Sequence, residues 1–413
     1  MTDLSILDVR LHGRSIGTMT YIGGERSLFA FSDAYLADPA RPTLGLRFKD
    51  RFGDLITEFR PYKMKLMPFF SNLLPEGHLR HYLAEKAHIH SDREFLLLQA
   101  LGKDLPGALT VEAVDGALWP PQYDPDSIED GRAARDAAQN ALRFSLAGVQ
   151  LKFSAVADGT GRLTVPARGV GGDWIVKLPS REFPGVPENE FSMMTLARMV
   201  GIDTPAIDLV DVGAISNLPR GMEKIGPKAF IIERFDRRRD GSSVQIEDFA
   251  QVFDVYPDDK YRTASYRNIA TVLAAEAGLA DSMEFIRRLT FNTLIGNGDM
   301  HLKNWSLIYP DDRNARLSPA YDLVSTIPYI PGDQAALNFS RSKDFTAFTA
   351  DELEHLSAKA ALPYRAVLNT ARETVALFME RWSAEKPHLP MGSEVRRSID
   401  EHLRGLPIIN LMG

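Results

Sequence analysis

The chain has 413 residues, 44% hydrophobic and 25% charged, which excludes a small peptide or a globally disordered chain and implies two or three subdomains around real cores. Its 48 Lys and Arg against 55 Asp and Glu leave a net charge of -7, so no overall positive field favours nucleic acid or anionic membranes. The absence of cysteine removes disulfides, thiolate zinc sites, iron–sulfur clusters and cysteine nucleophiles, and fits a reducing compartment.

The start, Met1-Thr2-Asp3-Leu4, lacks a basic and apolar leader, and charges interrupt each window long enough to cross a bilayer. A soluble, cytoplasmic chain with no membrane partner is expected. Leu4–Val9, Ile16–Ile22 and Ser27–Phe31, punctuated by Gly13 and Gly23-Gly24, predict a short β-meander. Pro75 opens a helix carrying Leu79, Tyr82 and Leu83. Ser91-Asp92-Arg93-Glu94 then reads as a capping box before Phe95 to Leu98, and Gly102 stops this second helix. Between Val114 and Arg135, Pro120, Pro121, Pro125 and frequent Asp read as a linker.

From Ala141 onward, β-like Val149–Val156, Trp174–Leu178 and Ala229–Phe235 surround one helix between Pro187 and Gly201, a small sheet carrying one helix. After Gln245 helical periodicity dominates. Asp281-Ser282-Met283-Glu284 resembles a capping box for a helix bearing Phe285, Leu289, Phe291 and Leu294, and helices resume at Ala350–Lys359 and Pro363–Arg381. The irregular stretch from Gly296 to Pro331 interrupts this lobe, as functional loops on a rigid scaffold do. No internal repeat is evident.

The segment Gly296-Asn297-Gly298-Asp299-Met300-His301-Leu302-Lys303-Asn304 follows an apolar helix and precedes a β-like Trp305–Tyr309. Asn304 lies five positions after Asp299, the spacing of a kinase loop in which Asp accepts the hydroxyl proton and Asn binds magnesium. Asp322 supplies a second carboxylate suited to Mg²⁺, a hard cation that favours oxygen. Lys177, within apolar Trp174–Leu178, is expensive to bury without a partner. Glu190, thirteen positions on and in the first turns of the next helix, is the candidate partner, with Glu188 the alternative. Ser145-Leu146-Ala147-Gly148-Val149-Gln150-Leu151-Lys152 puts small residues ahead of a strand, where backbone amides can approach phosphates.

Each feature has a plainer reading: Asp299 as a turn residue, Lys177 as an edge lysine reaching solvent, Glu190 as a helix-dipole partner. His78, His81, His88 and His90 are poorly spaced for a closed metal site and read as surface residues, and Arg237-Arg238-Arg239 reads as a solvated turn. What favours chemistry is the order: small-residue loop, strand lysine, helix glutamate, Asp and Asn, then a second Asp, as a bilobal kinase requires.

The sequence resembles the HipA family, serine/threonine protein kinase toxins of bacterial toxin–antitoxin pairs, over nearly the whole chain. The resemblance rests on Phe69-Phe70-Ser71-Asn72-Leu73-Leu74-Pro75-Glu76-Gly77, Ser145 to Lys152, Trp174 to Pro179, Ile232-Glu233-Arg234-Phe235-Asp236-Arg237, Gly296 to Asn304, and Tyr321-Asp322. It implies an α+β, bilobal protein-kinase-like fold with an additional N-terminal β-rich subdomain and a mostly helical C-terminal lobe. The expected division is 1–115 for the β-rich subdomain with helices, 116–140 for a linker, 141–240 for an N-lobe and 241–413 for a helical C-lobe.

Carried over residue by residue, the resemblance implies Asp299 as general base, Asn304 and Asp322 as Mg²⁺ ligands, and Lys177 on the ATP phosphates with Glu190 as its partner. Glu233, Arg234 and Phe235 line an adenine hinge. Ala147, Gly148, Val149, Gln150, Leu151 and Lys152 form the phosphate loop, completed by His301, Lys303 and Tyr321. Ser145 matches a serine whose autophosphorylation displaces that loop, since a doubly charged group there repels ATP phosphates. The resemblance further implies a small helix-turn-helix, HipB-like antitoxin, operator DNA reached only through it, and an aminoacyl-tRNA synthetase as protein substrate, so that phosphorylation slows translation and growth. Rival readings are a small-molecule kinase of the aminoglycoside or choline type and a non-catalytic antitoxin-binding regulator. The chain has no His-Arg-Asp triplet, no Asp-Phe-Gly and a single glycine in its phosphate loop, so eukaryotic-type regulation is not expected.

Overall fold

The computed structural model describes residues 5–22, 24–86, 89–114, 152–157, 163–165, 172–218 and 224–412. The expected linker over 116–140, Ser145, the loop from Ala147 to Leu151, and His88 lie outside these residues.

Alternating apolar residues build the first sheet. Leu7, Val9 and Leu11 of β1 (Ser5–Leu11) all point inward and are essentially buried. With β2 (Arg14–Tyr21), β3 (Arg26–Phe31), β4 (Tyr62–Lys63) and β5 (Leu109–Ala113) they form an antiparallel sheet in the order β4-β3-β2-β1-β5. Phe29 and Phe31 pack on Phe48, and Phe29 also on Phe70 of a short helix, α1 (Pro68–Ser71), in an aromatic cluster with ring separations of 4.9 to 6.4 Å. Helices α2 (Gly77–Lys86) and α3 (Glu94–Leu101) complete this module, and Gly102 ends α3.

The capping box expected at Ser91 does not form. The residue before α3 is Arg93, with no side-chain cap, and Glu94 turns inward. It accepts from the Leu66 amide at 2.7 Å and Ser71 Oγ at 2.9 Å and pairs with Arg80 at 3.2 Å. A carboxylate only 1% exposed satisfies the module's own donors instead of the helix end.

The second sheet runs β7 (Leu163–Thr164), β6 (Lys152–Ala157), β8 (Trp174–Lys177), β10 (Lys228–Glu233), β9 (Ile207–Asp211). Helix α4 (Val186–Met199) starts at Gly185 with Pro187 in its first turn, where the missing N–H costs nothing, and buries Met193, Met194, Leu196 and Ala197.

Beyond it, β11 (Gln245–Asp248), β12 (Ser306–Tyr309) and β13 (Arg316–Leu317) form a small antiparallel sheet against a helical lobe of α5 (Tyr266–Glu276), α6 (Gly278–Ile295), α7 (Ala350–Lys359), α8 (Tyr364–Glu385) and α9 (Ser393–Gly405). Phe285, Ile286, Leu289, Phe291 and Leu294 of α6 are fully buried at its centre. Here too the expected capping box fails: α6 already begins at Gly278, and Asp281 lies within its first turns. Its carboxylate accepts from Arg316 Nε at 2.6 Å and the Leu317 amide at 3.2 Å, tying helix to hairpin. Among the described residues no helix is long and apolar enough to cross a membrane.

The N-terminal module docks on this lobe through polar contacts as well as packing. Gln245 donates to the Leu44 carbonyl at 2.7 Å, Gln251 donates to the Phe69 carbonyl at 3.0 Å, and Asn72 donates to the Val255 carbonyl at 2.7 Å.

Candidate active site

Helix α6 ends where Gly296 adopts a left-handed conformation at φ 63, and an added Cβ there would lie 2.6 Å from Ile327. The chain therefore leaves the helix sharply into the Asp299 loop. Asn297 shapes this loop: its Oδ1 accepts from the Asp299 amide at 3.0 Å, and its Nδ2 donates to Asn292 Oδ1 at 2.8 Å and to the Asp322 carbonyl at 3.2 Å. Asn304 Nδ2 donates to the Asp299 carbonyl at 2.7 Å, closing the loop on itself. Asp322 sits in left-handed backbone at φ 56, which a non-glycine residue holds only when its surroundings enforce it.

Lys177, at the end of β8, reaches Glu190 of α4 at 2.5 Å and also hydrogen-bonds Asp322. Glu188 is not its partner: it lies one turn away in sequence from Ser192, whose hydroxyl donates to its carbonyl. Burial disfavours the charge on Lys177, but Asp322 and Glu190 outweigh it and hold its pKa above the usual lysine value. Burial pushes Asp322 up, while Lys177 and Lys152 pull it well below the ordinary carboxylate range. Lys152 lies opposite Lys177 on β6.

Asp299 is raised by burial, opposed by the Tyr261 hydroxyl, which donates to its Oδ1 at 2.5 Å. His301 stands edge-on to the Tyr261 ring at 4.9 Å. Burial drives its pKa down to about 3, so the imidazole is neutral at pH 7, and its Nδ1 has no hydrogen-bond partner among the described residues. The fold thus brings Lys177, Glu190 and Asp322 into one cluster and Asp299, His301 and Asn304 into one loop joined to it through Asn297.

Other expected site residues are committed elsewhere. Lys303 donates to the Asn72 carbonyl at 2.9 Å and pairs with Glu76 at 2.8 Å, so its ammonium faces the N-terminal module. Tyr321 exchanges a hydrogen bond with Ser306 at 2.6 Å and donates to the Lys303 carbonyl at 2.9 Å, with its ring 5.7 Å from that of Phe235. Glu233 closes β10. The Arg234 guanidinium pairs with Asp236 at 2.9 Å and Asp104 at 3.0 Å. Arg237, expected in a solvated turn, instead pairs with the same Asp104 at 3.0 Å and donates to the Leu105 carbonyl at 2.9 Å, because that segment abuts the module.

Three participants escape sequence reasoning. Asn297 is signalled only by adjacency to Asp299. Tyr261 stands 38 residues before Asp299 and carries no local signal, and Glu76, although within the Phe69 to Gly77 motif, belongs to another module, so nothing in its spacing ties it to the site.

A lysine on a five-stranded sheet, a glutamate on the helix it carries, and an Asp and Asn loop on a helical lobe define a protein-kinase-like, bilobal α+β fold, here with an N-terminal β-rich module. Comparison with known proteins agrees. Residues 144–382 match the family described as HipA-like C-terminal domain and residues 7–112 the HipA N-terminal domain. A Sinorhizobium fredii protein named as a kinase, Y4dM, is 58% identical over 405 residues, 97% of each chain. The Shewanella oneidensis serine/threonine-protein kinase toxin HipA is 27% identical over 299 residues, 63% of each chain. A chain in the solved complex of the Shewanella oneidensis toxin–antitoxin system, HipA, HipB and operator DNA, shares the fold at TM-score 0.73 and 21% identity, covering 98% of this chain and 96% of that one. The chain belongs to the HipA family of kinases.

Proposed function

We propose that this protein is a Mg²⁺- and ATP-dependent serine/threonine protein kinase, acting as the toxin of a toxin–antitoxin pair in the cytoplasm. The observation that carries the reading is Lys177 held between Glu190 and Asp322 beside the loop of Asp299 and Asn304. Residues 1–115 form the family-specific module, 116–140 a linker, 141–240 the N-lobe and 241–413 the C-lobe in this reading.

In the resting chain the Lys177 ammonium pairs with carboxylates; with nucleotide present it turns to the phosphates, Glu190 keeping its position. The Ala147 to Lys152 loop covers the phosphates and Glu233 to Phe235 receives the adenine. His301, neutral and with no partner for its Nδ1 among the described residues, can present an N–H donor to the phosphate end. Tyr321 and Lys303 support the loop from below through the Tyr321 hydrogen bond to the Lys303 carbonyl. Asp299 accepts the proton of the acceptor hydroxyl.

The residues present fit magnesium. Asp322 and Asn304 offer hard oxygen donors, and Asn304 spends only its Nδ2 on the loop. No cluster of three His, Cys, Asp or Glu exists among the described residues, and none is needed, because Mg²⁺ is usually held by one or two carboxylates together with substrate phosphates. Bound there, the ion would neutralise charge on the transferring phosphoryl group.

Ser145 is the autophosphorylation site, an aminoacyl-tRNA synthetase the protein substrate, and a HipB-like helix-turn-helix protein the partner that brings the chain to operator DNA. A net charge of -7 gives the chain no overall attraction to phosphate backbones, which supports an approach through such a partner. Replacing Asp299 by Asn is expected to lower transfer of labelled phosphate to protein by about 10²- to 10⁴-fold while the ATP-induced rise in melting temperature persists. Undiminished transfer would remove Asp299 from the role of base, and label appearing only in a small molecule would reassign the acceptor.

A further inference from the structure

Glu76 of the N-terminal module bridges two lysines of the C-lobe: Oε1 lies 2.8 Å from Lys303 Nζ and Oε2 lies 2.7 Å from Lys260 Nζ. Each lysine neighbours a residue of the site. Lys303 directly precedes Asn304, and Lys260 directly precedes Tyr261, whose hydroxyl donates to Asp299 Oδ1 at 2.5 Å. The Leu302 amide also donates to the Lys260 carbonyl at 3.4 Å, so the Tyr261 segment and the Asp299 loop lie side by side.

The Tyr261 ring itself is weakly held. It remains 37% exposed, and its ring contacts are the edge of His301 and the Lys260 ammonium. Among the described residues the Asp299 carboxylate accepts no hydrogen bond besides the one from Tyr261. The orientation of that carboxylate therefore depends on a tyrosine whose carbonyl accepts from Lys343 at 3.3 Å and whose neighbour Lys260 is held by another module. Burial opposes ionisation of Glu76, but Lys303 and Lys260 outweigh it and bring its pKa down to about 2, so Glu76 is ionised at neutral pH.

We propose that Glu76 is a positioning residue of the kinase reaction, which clamps Lys260 and Lys303 together so that the Tyr261 hydroxyl holds the Asp299 carboxylate in place. The N-terminal module thereby completes the acceptor side of the active site. This inference rests on the reading of Asp299 as the general base.

The test is steady-state transfer from γ-labelled ATP, by the full chain, to itself and to myelin basic protein. Glu76→Gln, Lys260→Met and Tyr261→Phe are each expected to lower kcat by about 10- to 100-fold, the range for a displaced catalytic group, with KM for ATP essentially unchanged. Lys260→Met should cost nothing more in a Tyr261→Phe background, since both act through one hydrogen bond. Wild-type kcat in Glu76→Gln and Lys260→Met, or losses that multiply in the double variant, would overturn the proposal. Lys260→Met decides alone where Glu76→Gln fails to fold. Asp299→Asn separates the two readings: full transfer by that variant defeats the base assignment, whereas its inactivity beside fully active clamp variants defeats only the clamp.

Discussion

Glu247 of β11 is wholly buried, with Oε1 accepting from the Leu46 amide at 2.8 Å and from the Tyr309 hydroxyl, while Oε2 has no partner among the described residues. Burial pushes its pKa up from 4.5 to about 7, the Tyr309 and Leu46 hydrogen bonds opposing. Between those two values the folded chain binds a proton that the unfolded chain has released, so this group makes stability fall as pH rises through the window. The slope is about 1.4 kcal/mol per pH unit for one proton, which bounds the effect at about 3.5 kcal/mol over this window. Glu247→Gln is accordingly expected to gain stability over wild type as pH goes from 5 to 8. Urea midpoints of both proteins at the two pH values check this; a gap that does not change with pH would assign the titration elsewhere. The same scale shows what a sequence conveys. Lys177, Glu190, Asp299, Asn304 and Asp322 are legible because the chemistry demands those residue types in that order. Tyr261 is not, because a tyrosine before an arginine carries no spacing relation to a base 38 residues later.

At the scale of elements, the β-meander and the long helices follow from period and punctuation, α7 with both of its expected ends, while the two helix starts read from capping boxes do not form as expected. Both expected capping boxes fail for one reason: Glu94 and Asp281 are drawn inward to satisfy donors of other elements, Ser71 and Arg80 for the first, Arg316 and Leu317 for the second. Stability measurements can separate the two interpretations at α3. Glu94→Ala should cost about 3–5 kcal/mol by leaving the Leu66 amide and Ser71 hydroxyl without their acceptor and the half-buried Arg80 without its counter-charge. Ser91→Ala should stay within about 0.5 kcal/mol, where a true N-cap would lose about 1 kcal/mol or more. Denaturant unfolding of both variants measures this directly.

At the scale of the whole molecule, the N-terminal module is wired to the kinase lobes by polar links at many points, among them Glu76 at the catalytic loop and Asp104 at the segment after β10. Asp104 receives both Arg234 and Arg237, and beside it the Gly107 amide donates to Asp236 Oδ2 at 2.8 Å and the Ala108 amide to Gln245 Oε1 at 3.1 Å. Asp104→Ala should weaken docking by about 1–3 kcal/mol, the cost of buried partners left unsatisfied, and speed hydrogen exchange at the Gly107 and Ala108 amides. Exchange at the wild-type rate would place the docking energy in the apolar contacts instead.

The sequence by itself determined the class of chemistry: no cysteine, an ordered set of oxygen and ammonium groups, and a family resemblance that comparison with known proteins bore out. These are properties of residue identity and local spacing, which a strand or a helix turn preserves. Only the tertiary structure decided which charges meet. Pairing Lys177 with Asp322, Arg234 and Arg237 with Asp104, and Glu76 with two lysines depends on burial and on Coulomb attraction across more than a hundred residues of chain, and both act only once the chain has folded.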